Sequence, residues 1–475
     1  MWAVYLSLGL CAWGRVFVVS PPELAAEMKG EGTEAGEVRA SLGNFGNPPY
    51  GSTILGRVFY NELEAKACSV MSPLDFSEDP DARNSAILLV DRGECLFVVK
   101  VRNAQDAGAQ AVIIVDNVSE DVDSLIMTDN GSSGNLSIPS FLISKKDGDA
   151  IKQYLKDPAT RPHVVLQLRF ELVQSPSLVN MVLWMSAGDS KIQAFLHDFA
   201  PFADRFTTEE LSFSPRYSTI TCWHCALGNF TEDLADCLSG GRYCALDPDG
   251  AGPLSGRDVL LEDLRQICIF QEATKQETYS LWFDYMSEHY SSCSDLSESC
   301  SLKAMGKVGL ISSKITSCVQ KSYLGPKPEI DDNRLLSEEQ MFSYQFPLIF
   351  TPAIFLNLVL YRGDIEATEV SVAVCSSYKV PPSPCVIEDP WGPASASTRI
   401  SLWKLLVLMG FLAFLVVGVL AAYRLWMRRE MEQEMQVQVT KAVAQYHALS
   451  SDGSQMAERQ KVRTVVRKVE VGASN

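Results

Sequence analysis

The chain has 475 residues, 47% of them hydrophobic and 21% charged, with a formal net charge of −17. That composition supplies two or three ordinary domains and excludes an intrinsically disordered chain. Residues 424–475 hold nine basic and six acidic side chains, so −20 of the charge belongs to the part before them; a surface that acidic stays soluble or draws basic ligands, and it argues against nucleic acid as a partner.

The first apolar stretch, 2–13, is too short to cross a bilayer and ends in Ala12-Trp13-Gly14, a run suited to cleavage before Arg15. Residues 1–14 read as a secretory signal, although no Lys or Arg precedes the apolar core. From 15 to 172 short β-branched runs alternate with turn residues, predicting strands over 53–60, 86–90, 111–115, 139–143 and 164–168. One helix interrupts them over about 98–107, with Val98, Val101, Ala104 and Ala107 in step and Gly108 as its stop. The loop Asp91-Arg92-Gly93-Glu94-Cys95 falls where a strand ends and that helix begins, a place where backbone amides and side chains are free to meet a ligand. Cys68 and Cys95 are the only cysteines of the segment, which predicts a bridge between them in an oxidising lumen. For Arg92, the residues alone favour a salt bridge to a neighbouring carboxylate.

From about Val179 the texture changes, with ten cysteines between Cys222 and Cys385. The pattern predicts a strand over 180–185, a helix near 191–199, a strand over 218–222, a helical and disulfide-dense middle, and a hairpin through 350–357 and 361–363 entered at Pro352. That layout resembles a thioredoxin fold carrying a helical insertion, in which the proline at the position of Pro352 is cis. Cys222-Trp-His-Cys225 invites zinc or thiol-disulfide exchange. Against both, no second ligand pair stands at zinc-finger spacing, and the pair follows the second predicted strand rather than the first. A redox thiolate belongs at the helix start after the first strand, where 190–194 carry no cysteine. Structural disulfides are therefore expected throughout, with no cofactor and no metal. The histidines 163, 197, 224, 289 and 447 form no catalytic pattern, so no enzyme is expected.

Residues 388–404 form a short linker, and 405–423 are 19 residues without charge, about 28 Å of helix and one membrane crossing. Arg424, Arg428 and Arg429 follow it, which with the signal places the C-terminus in the cytosol. Twelve of the 13 cysteines lie between signal and span, as do the sequons at Asn117, Asn130, Asn135 and Asn229, so a disulfide-bonded, glycosylated lumenal part is expected. In the tail, 424–475, mostly helical or disordered, Tyr446-His-Ala-Leu449 fits the tyrosine motif that clathrin adaptors read as an added strand.

Segment 15–172 resembles a protease-associated domain, and more closely the one in plant vacuolar sorting receptors. The likeness rests on Ser41-Leu-Gly-Asn-Phe-Gly46 with Tyr50-Gly51, Asp91-Arg-Gly-Glu-Cys95, Asn103-Ala-Gln-Asp-Ala-Gly-Ala109, Leu125-Ile-Met-Thr-Asp129 and Asn135-Leu-Ser-Ile-Pro139. Segment 173–387 is similar to the same receptors' central domain through Gly241-Arg-Tyr-Cys-Ala-Leu-Asp-Pro248, Gly256-Arg-Asp-Val259, Leu264-Arg-Gln-Ile-Cys268 and Tyr361-Arg-Gly363, and Ala444-Gln-Tyr446 is shared in the tail. The resemblance implies an α+β chain: a β-rich protease-associated domain, a disulfide-rich thioredoxin-like α/β domain, one transmembrane helix and the tail. It implies a type I receptor of the Golgi, trans-Golgi network, prevacuolar or endosomal membranes. Such a receptor binds soluble vacuolar or lysosomal cargo with Arg92, Gly93, Glu94, Leu96, Phe97 and Asp129, and recruits clathrin adaptors through Tyr446 and Leu449. Two departures stand out. The family's cysteine pair at the helix start is missing, and no epidermal-growth-factor-like repeats with their calcium site stand before the membrane segment. The rival expectation is a membrane-tethered lumenal thiol-disulfide oxidoreductase or folding factor using Cys222 and Cys225. Four lumenal histidines and many carboxylates also suggest cargo release in an acidifying compartment.

Overall fold

The computed structural model describes residues 14–386 apart from 29–33, 77–84, 130, 223–233, 251, 277, 345 and 347–349, and beyond them only 418, 420, 423, 424 and 441. Residues 1–13 of the expected signal, the tail motif, most of the span over 405–423, Cys225, Asn130 and Asn229 lie outside the described residues, whereas Gly14, expected to end the signal, opens a strand. Among the described residues no helix is long and apolar enough to cross a membrane. The chain divides into two units, one ending at Val386 and one beginning at Ile387, and the first carries two main sheets.

The first sheet forms from β1 (Gly14–Ser20), β2 (Glu37–Val38), β3 (Ala40–Leu42), β4 (Thr53–Phe59), β5 (Ile87–Asp91), β6 (Ala111–Val115), β7 (Ser140–Ile143) and β8 (Val165–Phe170), in the order β2-β1-β8-β4-β5-β6-β7-β3. Helices α1 (Pro22–Glu27), α2 (Phe97–Asp106) and α3 (Lys145–Lys156) pack against it. The strands β4 to β7 run parallel. Covered on both faces, β5 and β6 are continuous apolar runs, whereas β8 is antiparallel and alternates buried with half-buried positions. Two elements differ from expectation. The strand β1 pairs with β8 along its length from Gly14 onward. Helix α3 was not signalled, because its buried stripe is only Gly148, Ile151 and Leu155 among charged residues. Gly148 is needed there, since a Cβ would sit 2.2 Å from Val115 Cγ1.

The second sheet has the order β10-β9-β13-β14, from β9 (Val179–Met185), β10 (Leu211–Tyr217), β13 (Ala353–Leu356) and β14 (Val359–Leu360). Helix α4 (Ser190–Ala203) links the parallel pair β9 and β10, and α10 (Ala367–Ser376) follows the hairpin. Between β10 and β13 lie the small hairpin of β11 (Cys237–Leu238) and β12 (Tyr243–Cys244), then α5 (Gly256–Thr274), α6 (Ser280–Ser292), α7 (Glu298–Lys307), α8 (Ser312–Ser322) and α9 (Arg334–Ser343). This is a β-α-β and β-β-α core with a helical insertion, and the Thr351-Pro352 bond is cis.

The strand expected over 218–222 is displaced: the second strand is 211–217, and Ile220 makes only an isolated bridge to Cys244. Ser212, Ser214 and Pro215 look like a turn in sequence. Leu211, Phe213, Pro215 and Tyr217 nevertheless alternate inward, and an edge strand tolerates a proline that cannot donate to a ladder.

Five bridges have both partners described: Cys68–Cys95, Cys237–Cys244, Cys268–Cys318, Cys293–Cys300 and Cys375–Cys385. The insertion is also held by Glu262, which is fully buried and accepts from Arg265, Gln266, Tyr285 and Ser301, tying α5 to α6 and α7. A fully paired buried carboxylate of this kind is structural.

Candidate functional site

The turn from β5 into α2 is built from three constraints. The bridge Cys68–Cys95 closes a separation of 27 residues and fastens the turn to the segment before it. Gly93 and Glu94 both have positive φ, +114° and +69°, so the backbone doubles back tightly, and at +114° only glycine fits without strain. Third is Lys100 on α2, which is fully buried. Its Nζ donates to Lys66 O at 2.5 Å and Gly93 O at 2.7 Å, and lies 3.4 Å from Cys68 Sγ. Burial, with Lys66 nearby, pushes this amine down to about 8. Nothing in the periodicity of 98–107 singles Lys100 out, because it falls beside the apolar stripe and its partners are backbone carbonyls.

Helix α2 starts without a side-chain cap at Leu96 and with no acid in its first turn. Its Val99 amide donates to Leu96 O at 3.1 Å, and no side chain caps the amides before it; the positive end of a helix dipole at such a start favours an anion. Arg92 stands beside it, its guanidinium 5.8 Å from the Phe97 ring. It pairs with Asp116 at 2.9 Å and Glu120 at 2.5 Å. Burial works against its charge, but the bonds to Glu120 and Asp116 outweigh this and hold its pKa above the ordinary arginine value. The two partners differ. Asp116 is fully buried and also accepts from the Asn117 amide, while the Glu120 side chain is 39% exposed and free to exchange for another carboxylate. Leu96 is 54% exposed at the rim. The structure thus brings Arg92, Gly93, Glu94, Leu96 and Phe97 together on one fastened turn, with the salt bridge that the residues alone favour.

Asp129 is placed differently. Its described partners are the Ser132 amide at 3.0 Å and Ser133 Oγ at 2.9 Å, and Ser133 Oγ reaches on to Asp364 of the second domain at 3.1 Å. Nearby, the Tyr50 hydroxyl donates to Arg362 O at 2.8 Å and accepts from Arg362 N at 3.0 Å, and the Asp364 amide donates to Gly46 O at 3.0 Å. Gly363, at φ +118°, is required here, as a Cβ would lie 2.7 Å from Pro48 Cδ. The stretches Tyr50-Gly51 and Tyr361-Arg-Gly363, far apart in sequence, therefore meet in one seam.

At the matching turn of the second domain, Asp189 caps α4 by accepting from the amides of Lys191 and Ile192 at 2.9 and 3.3 Å. No cysteine stands at this helix start, and Cys222 is disulfide-bonded. Among the described residues every cysteine is in a disulfide and no cluster of metal ligands forms. Asn117 and Asn135 are both exposed.

The vacuolar sorting receptor thioredoxin-like domain matches residues 180–375, and the PA domain matches 54–151. Vacuolar-sorting receptor 4 of Arabidopsis thaliana is 29% identical over 81% of this chain and 64% of its own length. Vacuolar-sorting receptor 3 of the same plant is 30% identical over 73% and 58%, and vacuolar-sorting receptor 1 of Pisum sativum is 30% identical over 74% and 58%. The chain thus spans about 58 to 64% of the length of these relatives. With 30% identity to these receptors over about three quarters of its length, and their thioredoxin-like domain matched over 180–375, the chain belongs to the vacuolar sorting receptor family.

Proposed function

We propose that this chain is a non-enzymatic receptor, anchored by one helix over 405–423, that binds soluble cargo in the lumen and is collected into coated vesicles through Tyr446 and Leu449. The observation that carries the reading is the start of α2: an uncapped helix N-terminus beside Arg92, on a turn fastened by a disulfide and a buried lysine. A helix start with no side-chain cap, held on a rigid turn, binds a carboxylate at little reorganisation cost. A cargo carboxylate takes the place of Glu120 on Arg92, with Asp116 keeping the guanidinium oriented. The acidic surface around the turn suits a basic group elsewhere on the same cargo. Residues 15–172 and 173–387 act as two domains of this lumenal part, in membranes of the Golgi, prevacuolar or endosomal system.

The test is capture of lumenal proteins by the full chain in detergent, with Arg92→Ala as control. Loss of a charge-assisted contact is worth about 2 kcal/mol, a drop in affinity of roughly thirtyfold. Undiminished capture would move the site off this turn. The oxidoreductase alternative finds less support, because the redox position at the start of α4 holds no thiol and Cys222 is bonded. Insulin reduction by the full chain would revive it.

A further inference from the structure

Between the two domains a single hydroxyl stands between two acids. Ser133 Oγ lies 2.9 Å from Asp129 Oδ2 and 3.1 Å from Asp364 Oδ1. A serine hydroxyl carries one hydrogen, so it donates to one of these oxygens only. The other contact becomes a hydrogen bond when that carboxyl carries its own proton and donates it to Oγ. With both acids ionised, one oxygen faces a lone pair and a second anion instead. We propose that Asp129, Ser133 and Asp364 form a proton-operated clasp between the two domains, closed by one added proton in acid and slack at neutral pH.

The surroundings favour uptake of that proton at Asp364. Burial raises its pKa to about 6; the charges of Glu366 and Asp129 add to this, and hydrogen bonds from Ser133 and the Gly46 backbone oppose it. Around the contact stand Ser133 and Asp129 from the 116–139 loop, Gly46 and Tyr50 from the segment before β4, Tyr361, Arg362 and Glu366 from the turn into α10, and Glu369 from the first turn of α10. The Tyr361 hydroxyl donates to the Asp364 carbonyl, not to its carboxylate. Nε and Nη1 of Arg362 have no hydrogen-bond partner among the described residues, so neither nitrogen is bonded to Asp129 or Asp364. Arg102 of α2 donates to Ser132 O and holds the far side of the loop.

Because Asp364 keeps its proton to a higher pH in the folded protein than in an unfolded chain, the folded state binds more protons between about pH 4 and about pH 6. The clasp therefore strengthens as pH falls through about 6 and weakens as it rises. The loop that carries Asp129 begins at Asp116 and Glu120, the partners of Arg92, so one strand of chain joins the clasp to the turn of α2.

The measurement is hydrogen–deuterium exchange on the full chain in detergent, with no cargo, read on peptides covering 128–134 and 361–366. Corrected for intrinsic rates, these peptides in the unmodified protein are on the order of tenfold better protected at about pH 5 than at about pH 7.5. Ser133→Ala abolishes the difference by removing the shared hydroxyl. Asp364→Asn, an amide that donates as the protonated acid does, keeps protection high at both values. Core amides of β5 and β6 report that each variant is folded. Equal protection at the two pH values in the unmodified protein overturns the clasp, as does a difference that survives in Ser133→Ala. The readout contains no cargo, so it stands apart from the receptor reading, and failed capture by Arg92 variants leaves it untouched.

Discussion

Each domain has a turn where a strand gives way to its first long helix, and the two turns are finished in opposite ways. After β9, Asp189 folds its carboxylate onto the amides of Lys191 and Ile192, so α4 satisfies its own N-terminus. After β5, α2 has no such cap, and the chain instead spends a disulfide and a buried lysine on holding the turn still. A helix start capped by its own carboxylate offers an anion less than one with no side-chain cap on a fastened turn. On the proposed reading binding belongs to the first domain and the start of α4 is scaffold, because the place where a redox thiolate would stand is filled there by internal hydrogen bonds from Lys191 and Ile192 to Asp189.

The largest expected effect breaks the fastened turn. Lys100→Met keeps the volume but leaves Lys66 O and Gly93 O without their donor, at about 1 to 3 kcal/mol for each buried carbonyl, so stability falls by about 3 kcal/mol and capture of cargo falls with it. Urea unfolding of the two proteins measures the first, and the capture assay the second. The sign with pH is also fixed. Burial holds Lys100 at about 8, below its ordinary value near 10.5, so the folded protein binds fewer protons than the unfolded chain above pH 8. Stability relative to Lys100→Met therefore rises as pH climbs from about 8 to about 10. A gap between the two that narrows over that range would show that the lysine is not buried as described.

A smaller effect tests the other turn. Asp189→Ala removes two hydrogen bonds to α4 and costs about 1 kcal/mol, visible as a shift in the urea midpoint. Capture of cargo stays within twofold or so of the unmodified protein, since α4 is scaffold. If capture instead fell as it does in Arg92→Ala, the two helix starts would share the work and the contrast would collapse.

How much of this was legible in sequence follows from where each signal is written. The loop Arg92 to Phe97 could be placed because β5 is an unbroken apolar run, α2 keeps its apolar spacing, and the two cysteines of the segment had only each other. Helix α3 and strand β10 were hidden because a thin stripe among charges, and a strand containing Ser-Pro, carry the local marks of turns. The fastening by Lys100 and the seam of Tyr50 with Arg362 could not be read at all. Their partners are backbone atoms, which every residue has, brought close only by the fold. Asp129 was named for cargo, yet its nearest described business is with Ser133 and the second domain, a relation separated by more than 200 residues of chain.

The smallest effect concerns what grows beside the open turn. Asn117 heads a sequon, is exposed, and its Nδ2 lies 3.6 Å from where a Cβ on Gly93 would stand. A glycan attached there starts at the edge of the receptor turn, while Asn135, the other described sequon, lies farther along the same 116–139 loop, where its carbonyl accepts from Gln105. Chains made in a glycosylating host are therefore expected to bind cargo about twofold more slowly than Asn117→Gln, with dissociation unchanged, because a flexible sugar obstructs approach without touching the bound state. Stability should differ by less than about 0.5 kcal/mol, since the side chain is at the surface. Surface plasmon resonance with captured cargo separates the two rates, and the mass of the peptide containing Asn117 shows whether the sugar is present. A faster dissociation in Asn117→Gln would mean the asparagine or its glycan contacts the cargo, and the turn would then extend past Arg92 to the start of the 116–139 loop.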